Sequence, residues 1–342
     1  MKKILVTGGT GYIGSHTAVE LIVKGYQVVI ADNLSNSHGH VIGAIEKITG
    51  TRPEFFQVDL CDEAGTRKLL DSQRPDAVIH FAALKAVGES VEQPLSYYRN
   101  NLVSLLNLVD SCLHTGMHAM LFSSSCSVYG RCDKLPITED AALPKAASPY
   151  GNTKQVCEEI LEDVTRVNPQ LRVIALRYFN PAGAHESALI GEYPLQPPSN
   201  LVPVITQTAA GIRQHMTVFG NDYPTTDGTC VRDYIHVVDI AKAHVVAVER
   251  LLQNSNKKNY EVFNLGTGKG MTVLEAIRSF EKVTGQKVNY TIGGRRDGDV
   301  AEIWADTSKA ARELGWKAEM SLEDVMKSAW AWEKALRKKV DG

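Results

Sequence analysis

A tyrosine and a lysine stand four residues apart in "SPYGNTK", Ser148 to Lys154, directly after a proline. In the first turn of a helix Pro149 is tolerated, because the N–H it lacks has no helical partner there. Tyr150 and Lys154 then lie one turn apart on one face. A fixed ammonium beside a phenol favours the phenolate and draws its pKa down from about 10 towards neutrality. Such a phenol serves as a general acid or base. An ordinary helix start with a buried tyrosine and a solvated lysine reads the same in seven letters, so the rest of the chain has to decide.

A second stretch with chemistry is "VTGGTGYIGSH", Val6 to His16, in which Gly8, Gly11 and Gly14 follow G-x-x-G-x-x-G between an apolar run and a helical pattern. That placement suits a tight turn, close approach of backbone to a pyrophosphate, and phosphate binding at a helix N-terminus. Asp32 ends the next apolar run. A carboxylate there accepts from a ribose diol and repels a 2′-phosphate, favouring NAD over NADP; the competing reading is a turn cap before Asn33. Asp59 ends the third run, where adenine would be met, and Phe81 and Ala82 end the fourth. A serine run, "FSSSCSVYG", ends the fifth.

These residues need elements to hold them. "KILVTG", "QVVIAD", "EFFQVDL", "DAVIHFA", "AMLFSSS" and "RVIALRYF" alternate with helical patterns over about Tyr12–Lys24, up to Gly50, over Ala64–Asp71, through "YYRNNLVSLLNLVDSCLH", and from Tyr150. Nearly continuous apolar strands between helices predict an α/β fold, a Rossmann-type doubly wound parallel sheet. The rhythm changes after Phe179. Asn180 to about Thr229 is rich in Pro, Gly and Asn, with one helix near Val202–Gly211. A strand near 260–266 is placed to rejoin the first sheet. Thr272 with Glu275 has capping-box spacing, and another helix opens at Ser321 with Asp324. The expected division is an NAD-binding Rossmann domain over 1–180 and a smaller C-terminal α/β substrate domain over 181–342.

The 342 residues suit about two domains, and a net charge of −2 with mixed signs excludes the basic footprint of a nucleic-acid binder. No apolar run reaches membrane length. The N-terminus lacks a signal-peptide core, and six scattered cysteines without C-x-x-C suit reduced thiols, hence a cytoplasmic protein. His38-Gly-His40 has no partners at ligand spacing and reads as a surface loop, so no metal is expected. His236 reads as packing or hydrogen bonding, Trp330 and Trp332 as core and surface anchors, and "RKKV" as a solvated helix terminus.

The glycine turn, the serine run and Tyr-x-x-x-Lys together resemble the extended short-chain dehydrogenase/reductase family. "HFAALKAVGES", "RYFNPAGAH", "FGNDYPTTDGTCVRDYIHVVD" and "RRDGD" resemble, more narrowly, the UDP-glucose 4-epimerase family, from Met1 to about Trp332. The resemblance implies NAD-dependent inversion at C4 of a UDP-hexose, interconverting UDP-galactose and UDP-glucose through a transient 4-keto sugar, in a homodimer. It implies Tyr150 as catalytic base and acid, Lys154 as holder of the nicotinamide ribose, and Ser125 as hydrogen-bond partner of the sugar's 4-oxygen. For the dinucleotide it implies Gly8, Gly11, Tyr12, Ile13, Gly14, Asp32, Asn33, Asn36, Asp59, Leu60, Phe81, Ala82, Lys85, Asn100 and Tyr178, beside Ser125, Tyr150 and Lys154. For the UDP-sugar it implies Phe179, Asn180, Asn200, Leu201, Thr217, Phe219, Arg232, Arg296, Asp299 and Ile303, with Ser125 and Tyr150. Two guanidinium forks on a diphosphate are physically apt.

The chain departs from the family pattern twice. Cys126 stands where alanine is common and reads as a small buried thiol. Ile303 stands where the family varies between tyrosine and a small residue, which leaves UDP-N-acetylglucosamine 4-epimerisation, or dual specificity, as the near alternative. A 4,6-dehydratase would need an acid pair where Cys126 and Ser127 stand. A simple dehydrogenase does not account for the C-terminal motifs, and a non-catalytic NAD-binding sensor has no need of Ser125, Tyr150 and Lys154 together. The dimer face expected from the long helix carries Leu102, Leu105, Leu106 and Val109; burial within one chain is the other reading.

Overall fold

The computed structural model describes residues 1–132, 134–296 and 299–340; Asp297 and Gly298 of "RRDGD" lie outside them. The first half runs β1 (Lys3–Thr7), α1 (Tyr12–Val23), β2 (Gln27–Asp32), α2 (Val41–Thr49), β3 (Glu54–Gln57), α3 (Glu63–Gln73), β4 (Ala77–His80), α4 (Val87–Glu92), α5 (Pro94–Thr115), β5 (Ala119–Ser125), α6 (Pro149–Val167) and β6 (Arg172–Tyr178). Every residue of β4 and β5 is buried. With helices on both faces there is little solvent side for polar residues to occupy, so the inner strands are largely apolar.

The second half begins with β7 (Asn180–Ala182), α7 (Leu201–Ala209), β8 (Met216–Phe219), β9 (Val231–Arg232) and β10 (Tyr234–His236). The chain then returns to the first half. α8 (Val237–Leu252) packs on α1, and β11 (Tyr260–Leu265) pairs in parallel with β6 from Tyr260–Val173 to Leu265–Tyr178. β12 (Met271–Thr272), α9 (Val273–Thr284), β13 (Tyr290–Gly293), β14 (Glu302–Ile303), α10 (Ser308–Glu313) and α11 (Leu322–Val340) complete it. The main sheet is wholly parallel, in the order β11-β6-β5-β4-β1-β2-β3. Its direction of winding reverses between β1 and β4, which opens a crevice above the carboxyl ends of the strands.

Local chemistry fixes the helix starts. Ser148 Oγ accepts from Gly151 N at 3.1 Å ahead of Pro149, the N-cap geometry that satisfies a free donor. Thr272 and Glu275 form both halves of a capping box. Ser321 and Asp324 exchange bonds of 2.9 and 3.2 Å. α8 has no counterpart in the sequence reading. Its cap is His236, whose Nδ1 accepts from Val238 N at 3.1 Å, an unusual residue for the role.

A second apolar core joins Val202, Ile205, Met216, Val218, Ile277, Phe280, Val325 and Met326 beneath the small sheets. On α5 the four apolar residues divide: Leu105 and Val109 are buried in the first core, Leu102 packs against it, and Leu106 is exposed.

Candidate active site

The carboxyl ends of the strands carry the first set of functional residues. Gly8 has φ +68°, and a Cβ there would lie 2.6 Å from Ala82 N; a Cβ on Gly14 would lie 2.3 Å from the Gly8 carbonyl oxygen. No other residue fits, so the turn presents backbone to the cleft. α1 has no side-chain cap at Gly11 and no acid in its first turn. Its first N–H groups therefore face the cleft without helical partners, a cradle of the right chemistry for a pyrophosphate. Asp32 caps its turn, the competing reading of the sequence, and also lines the cleft. Its carboxylate accepts from Thr10 N (3.2 Å), Leu34 N (2.9 Å) and Ser37 Oγ (3.0 Å).

All the dinucleotide residues named from the sequence line this one cleft, about 1900 Å³ counted out to its solvent mouth, and Phe179, Asn180 and Asn200 join them. Asn180 Oδ1 is buried without a protein partner, an acceptor left for a ligand donor. This donor set fits a dinucleotide.

Ser125, Tyr150 and Lys154 come together at the floor. Ser125 Oγ accepts from Ser127 N at 3.1 Å, capping the turn Cys126–Tyr129. Lys154 is buried; its Nζ donates to the Ser123 carbonyl at 2.7 Å and lies 4.7 Å from the centre of the Phe122 ring. Burial draws the ammonium down to about 8, opposed by Cys157 and Glu158. The Tyr150 phenol differs from the expectation. Burial pushes it up to about 12, and the neighbouring Ser125 hydroxyl offsets only part of this. Lys154 is turned onto the backbone of β5, so the protein's own atoms do not by themselves favour the phenolate. Tyr178 OH is hydrogen-bonded to Ser123 Oγ at the end of β6.

Most of the remaining residues expected to hold the nucleotide sugar form an adjoining cluster. Asp299 Oδ1 accepts from Arg296 Nη2 (2.8 Å) and Arg232 Nη2 (3.4 Å), and Arg296 lies over the Phe219 ring at 5.5 Å. Ile303 is the register partner of Arg232 between β14 and β9, and packs with Phe179, Val128 and Tyr129. The buried Asp233 holds these pieces together, accepting from Thr267 N (2.8 Å), Gly268 N (3.2 Å) and Ala305 N (3.3 Å). Thr217 pairs opposite Thr291 between β8 and β13, and Leu201 opens α7 beside the second core. The charge of Arg232 reaches the Cys126 thiol on the cleft wall, which burial pushes up to about 12.

One wall of the cleft was missed in the sequence. Residues 189–194 cross it as a strap. Glu192 Oε1 accepts from Lys85 Nζ (3.0 Å) and Asn200 Nδ2 (2.7 Å), and Tyr193 stacks on His38 at 4.3 Å. Trp332 Nε1 donates to the Glu192 carbonyl at 3.1 Å. His38 and Trp332 are therefore cleft residues, where a surface loop and a core or surface anchor were expected. The one local signal is Gly191, where a Cβ would lie 2.5 Å from the Trp332 ring. Among the described residues no group of three or more His, Cys, Asp or Glu is placed to hold a metal ion.

A glycine turn, an acid ending β2 and Ser-Tyr-Lys at the floor of a switch-point cleft define the extended short-chain dehydrogenase/reductase class. The GDP-mannose 4,6 dehydratase family pattern matches residues 5–329. The UDP-glucose 4-epimerase of Bacillus subtilis is 49% identical over 330 residues, 96% of each chain. The crystal structure of the Stenotrophomonas maltophila UDP-glucose 4-epimerase, with bound NAD and formylated UDP-arabinopyranose, superposes with a TM-score of 0.96 at 48% identity, over 99% of this chain and 100% of that one. The Bifidobacterium longum enzyme in complex with NAD+ and UDP gives 0.93 at 45%, over 98% of each. The chain belongs to the GDP-mannose 4,6 dehydratase family and, within it, to the UDP-glucose 4-epimerases.

Proposed function

We propose that this chain is an NAD-dependent isomerase that interconverts UDP-galactose and UDP-glucose by inverting C4 through a transient 4-keto sugar. The observation that carries this reading is the Ser125–Tyr150–Lys154 cluster at the floor of a cleft whose far end is a dinucleotide cradle. NAD, when bound, supplies the acceptor and donor of the C4 hydride. Tyr150 as phenolate takes the proton of the 4-hydroxyl and gives it back after inversion. Ser125 orients the 4-oxygen. Lys154, charged below about pH 8, is assigned to the nicotinamide ribose, one turn from the phenol.

Arg232, Arg296 and Asp299 serve the diphosphate and ribose, with Asn180 and Asn200 also on the UDP half. Anchoring concentrated on the UDP end leaves the keto sugar free to turn over while binding energy at a distance retains it. Leu95 and Leu106 of α5 and Val91 of α4 are exposed apolar residues beside the α5–α6 pair, the surface we assign to a homodimer. No helix among the described residues is long and apolar enough to cross a membrane, and all six cysteines are free thiols, in keeping with a cytoplasmic enzyme.

Purified protein given UDP-galactose without added dinucleotide is expected to form UDP-glucose, and UDP-N-acetylgalactosamine assayed in parallel reports what Ile303 permits. No conversion of UDP-galactose, even with NAD⁺ added, would overturn the reading.

A further inference from the structure

Behind the floor of the cleft lies a buried polar cluster that none of the roles above employs. Glu158 stands on α6 four residues beyond Lys154 and eight beyond Tyr150, so all three share one face. Its side chain is 5% exposed. Oε1 accepts from Ser124 Oγ at 2.5 Å and Arg177 Nε at 2.9 Å; Oε2 accepts from Arg177 Nη2 at 2.5 Å and Tyr260 OH at 3.2 Å. Arg177 Nη1 in turn donates to Tyr129 OH at 3.0 Å. One carboxylate thus ties α6 to β5, β6 and β11. The tie falls on Ser124, between Ser123, whose carbonyl takes Lys154, and Ser125.

A buried ion pair is poor evidence for stability, since desolvation opposes its attraction and apolar substitutes often do as well. Its position is the informative part. Resting on the epimerase reading above, we propose that Glu158 is a positioning residue: clamped by Arg177 and Ser124, it holds the serine strand and the lysine helix in register and keeps a negative charge one turn behind Lys154, so that Lys154 stays an ammonium.

The groups that face Lys154 single out Glu158. From β4 comes His80, which burial and Lys154 itself draw down to about 3; from α6 comes Cys157, pushed up to about 11 by burial. Both are uncharged near neutral pH. β5 offers the Ser123 carbonyl and the Phe122 ring. Tyr97 of α5 and Tyr178 of β6 face Tyr150, and both phenols are held above their ordinary value by burial. The charge set against the burial of Lys154 is that of Glu158, and Arg177 of β6, paired to that carboxylate, is the cation that opposes it.

The test is a pH titration of Lys154 in the purified protein carrying ¹³C-labelled lysine side chains, its signal assigned by its loss in Lys154→Met. In Glu158→Gln the midpoint of Lys154 is expected to fall by about one pH unit or more. The alkaline edge of kcat should move with it while KM for UDP-galactose holds. Glu158→Asp, which keeps the charge, should keep the wild-type midpoint. If Glu158→Gln does not fold, Glu158→Gln/Arg177→Met removes both charges, a replacement that buried pairs tolerate, and a smaller fall in the same direction is expected, because the positive charge of Arg177 leaves with the negative one. An unmoved midpoint in a folded variant overturns the proposal. Absence of wild-type turnover would overturn the epimerase reading instead, and the lysine titration would still decide this one.

Discussion

The two ends of the binding region are built differently. The dinucleotide end rests on consecutive strand–turn–helix units, with backbone placed so tightly that a single added carbon at Gly8 or Gly14 meets main-chain atoms closer than 3 Å. The end we assign to the nucleotide sugar rests on strands of two to four residues and on loops, and its charges are already satisfied by one another through Asp299. The first is a mould, set before any ligand arrives. The second is a set of ion pairs that must share their partners with an incoming diphosphate. Defects at the first end should therefore abolish occupancy or chemistry, and defects at the second should tune binding.

Where the two ends meet, the contrast should be largest. Tyr150→Phe removes the proton carrier and leaves the fold of the cleft alone. It is expected to lower kcat by about 10²–10⁴-fold, with the dinucleotide content of the purified protein unchanged; kinetics and absorbance of the extracted cofactor check both. At the dinucleotide end, Gly14→Ala forces a Cβ against the Gly8 carbonyl. Loss of bound dinucleotide and a destabilisation of about 1–3 kcal/mol are expected in denaturant unfolding, the cost typical of overpacking. Retention of cofactor by that variant would break the comparison.

At the other end, Arg232→Ala is expected to raise KM for UDP-galactose about tenfold or more, the scale of a charge-assisted hydrogen bond, with kcat changed far less. That pattern marks binding shared by ground and transition states. A fall in kcat at unchanged KM would show that the arginine acts on the chemistry.

Acid should sharpen the contrast more gently. Burial lowers His16 and His80 to about 3, and His244 to about 4. Their folded values lie below the unfolded value near 6.5, so the unfolded chain binds more protons in the interval. Stability is fully present above about pH 6.5 and is lost as the pH falls towards 3–4. Thermal unfolding should show a falling Tm over that window, and His80→Gln should flatten it.

The smallest effect is assigned to Cys126. With its thiol held up to about 12, it should resist alkylation at pH 7.5, and Cys126→Ala should turn over within about twofold of the wild type, a change of less than 0.5 kcal/mol.

The same division explains what the sequence made legible. β1, β2, β4, β5 and β6 stood out because burial on both faces writes itself as an unbroken apolar run, and the glycine turn, Asp32 and Tyr150–Lys154 are local patterns with local causes. α8 was missed because "VVDIAKAHVVAVERLL" opens on β-branched residues and lacks a hydroxyl, carboxylate or amide cap. The strap was missed because its meaning is tertiary: Glu192 acquires a role only when Lys85, Asn200 and Trp332, up to 140 residues away, converge on it. Glu158 was half visible, at the right helical interval from Tyr150, but its partner Arg177 comes from β6. The lowered phenol read from Lys154 failed for a related reason. Helical spacing gives proximity along α6, and only the packed structure shows the ammonium committed to the Ser123 carbonyl.

The most direct measurement follows the hydrogen on C4. UDP-galactose deuterated at C4 should yield UDP-glucose with the deuterium still on C4, and protonated substrate in deuterated water should gain none there, because that hydrogen moves as hydride, which does not exchange with water, while only the hydroxyl proton passes through Tyr150. Washout of the label into water during turnover would mean that C4 is inverted by proton abstraction, and would contradict the account.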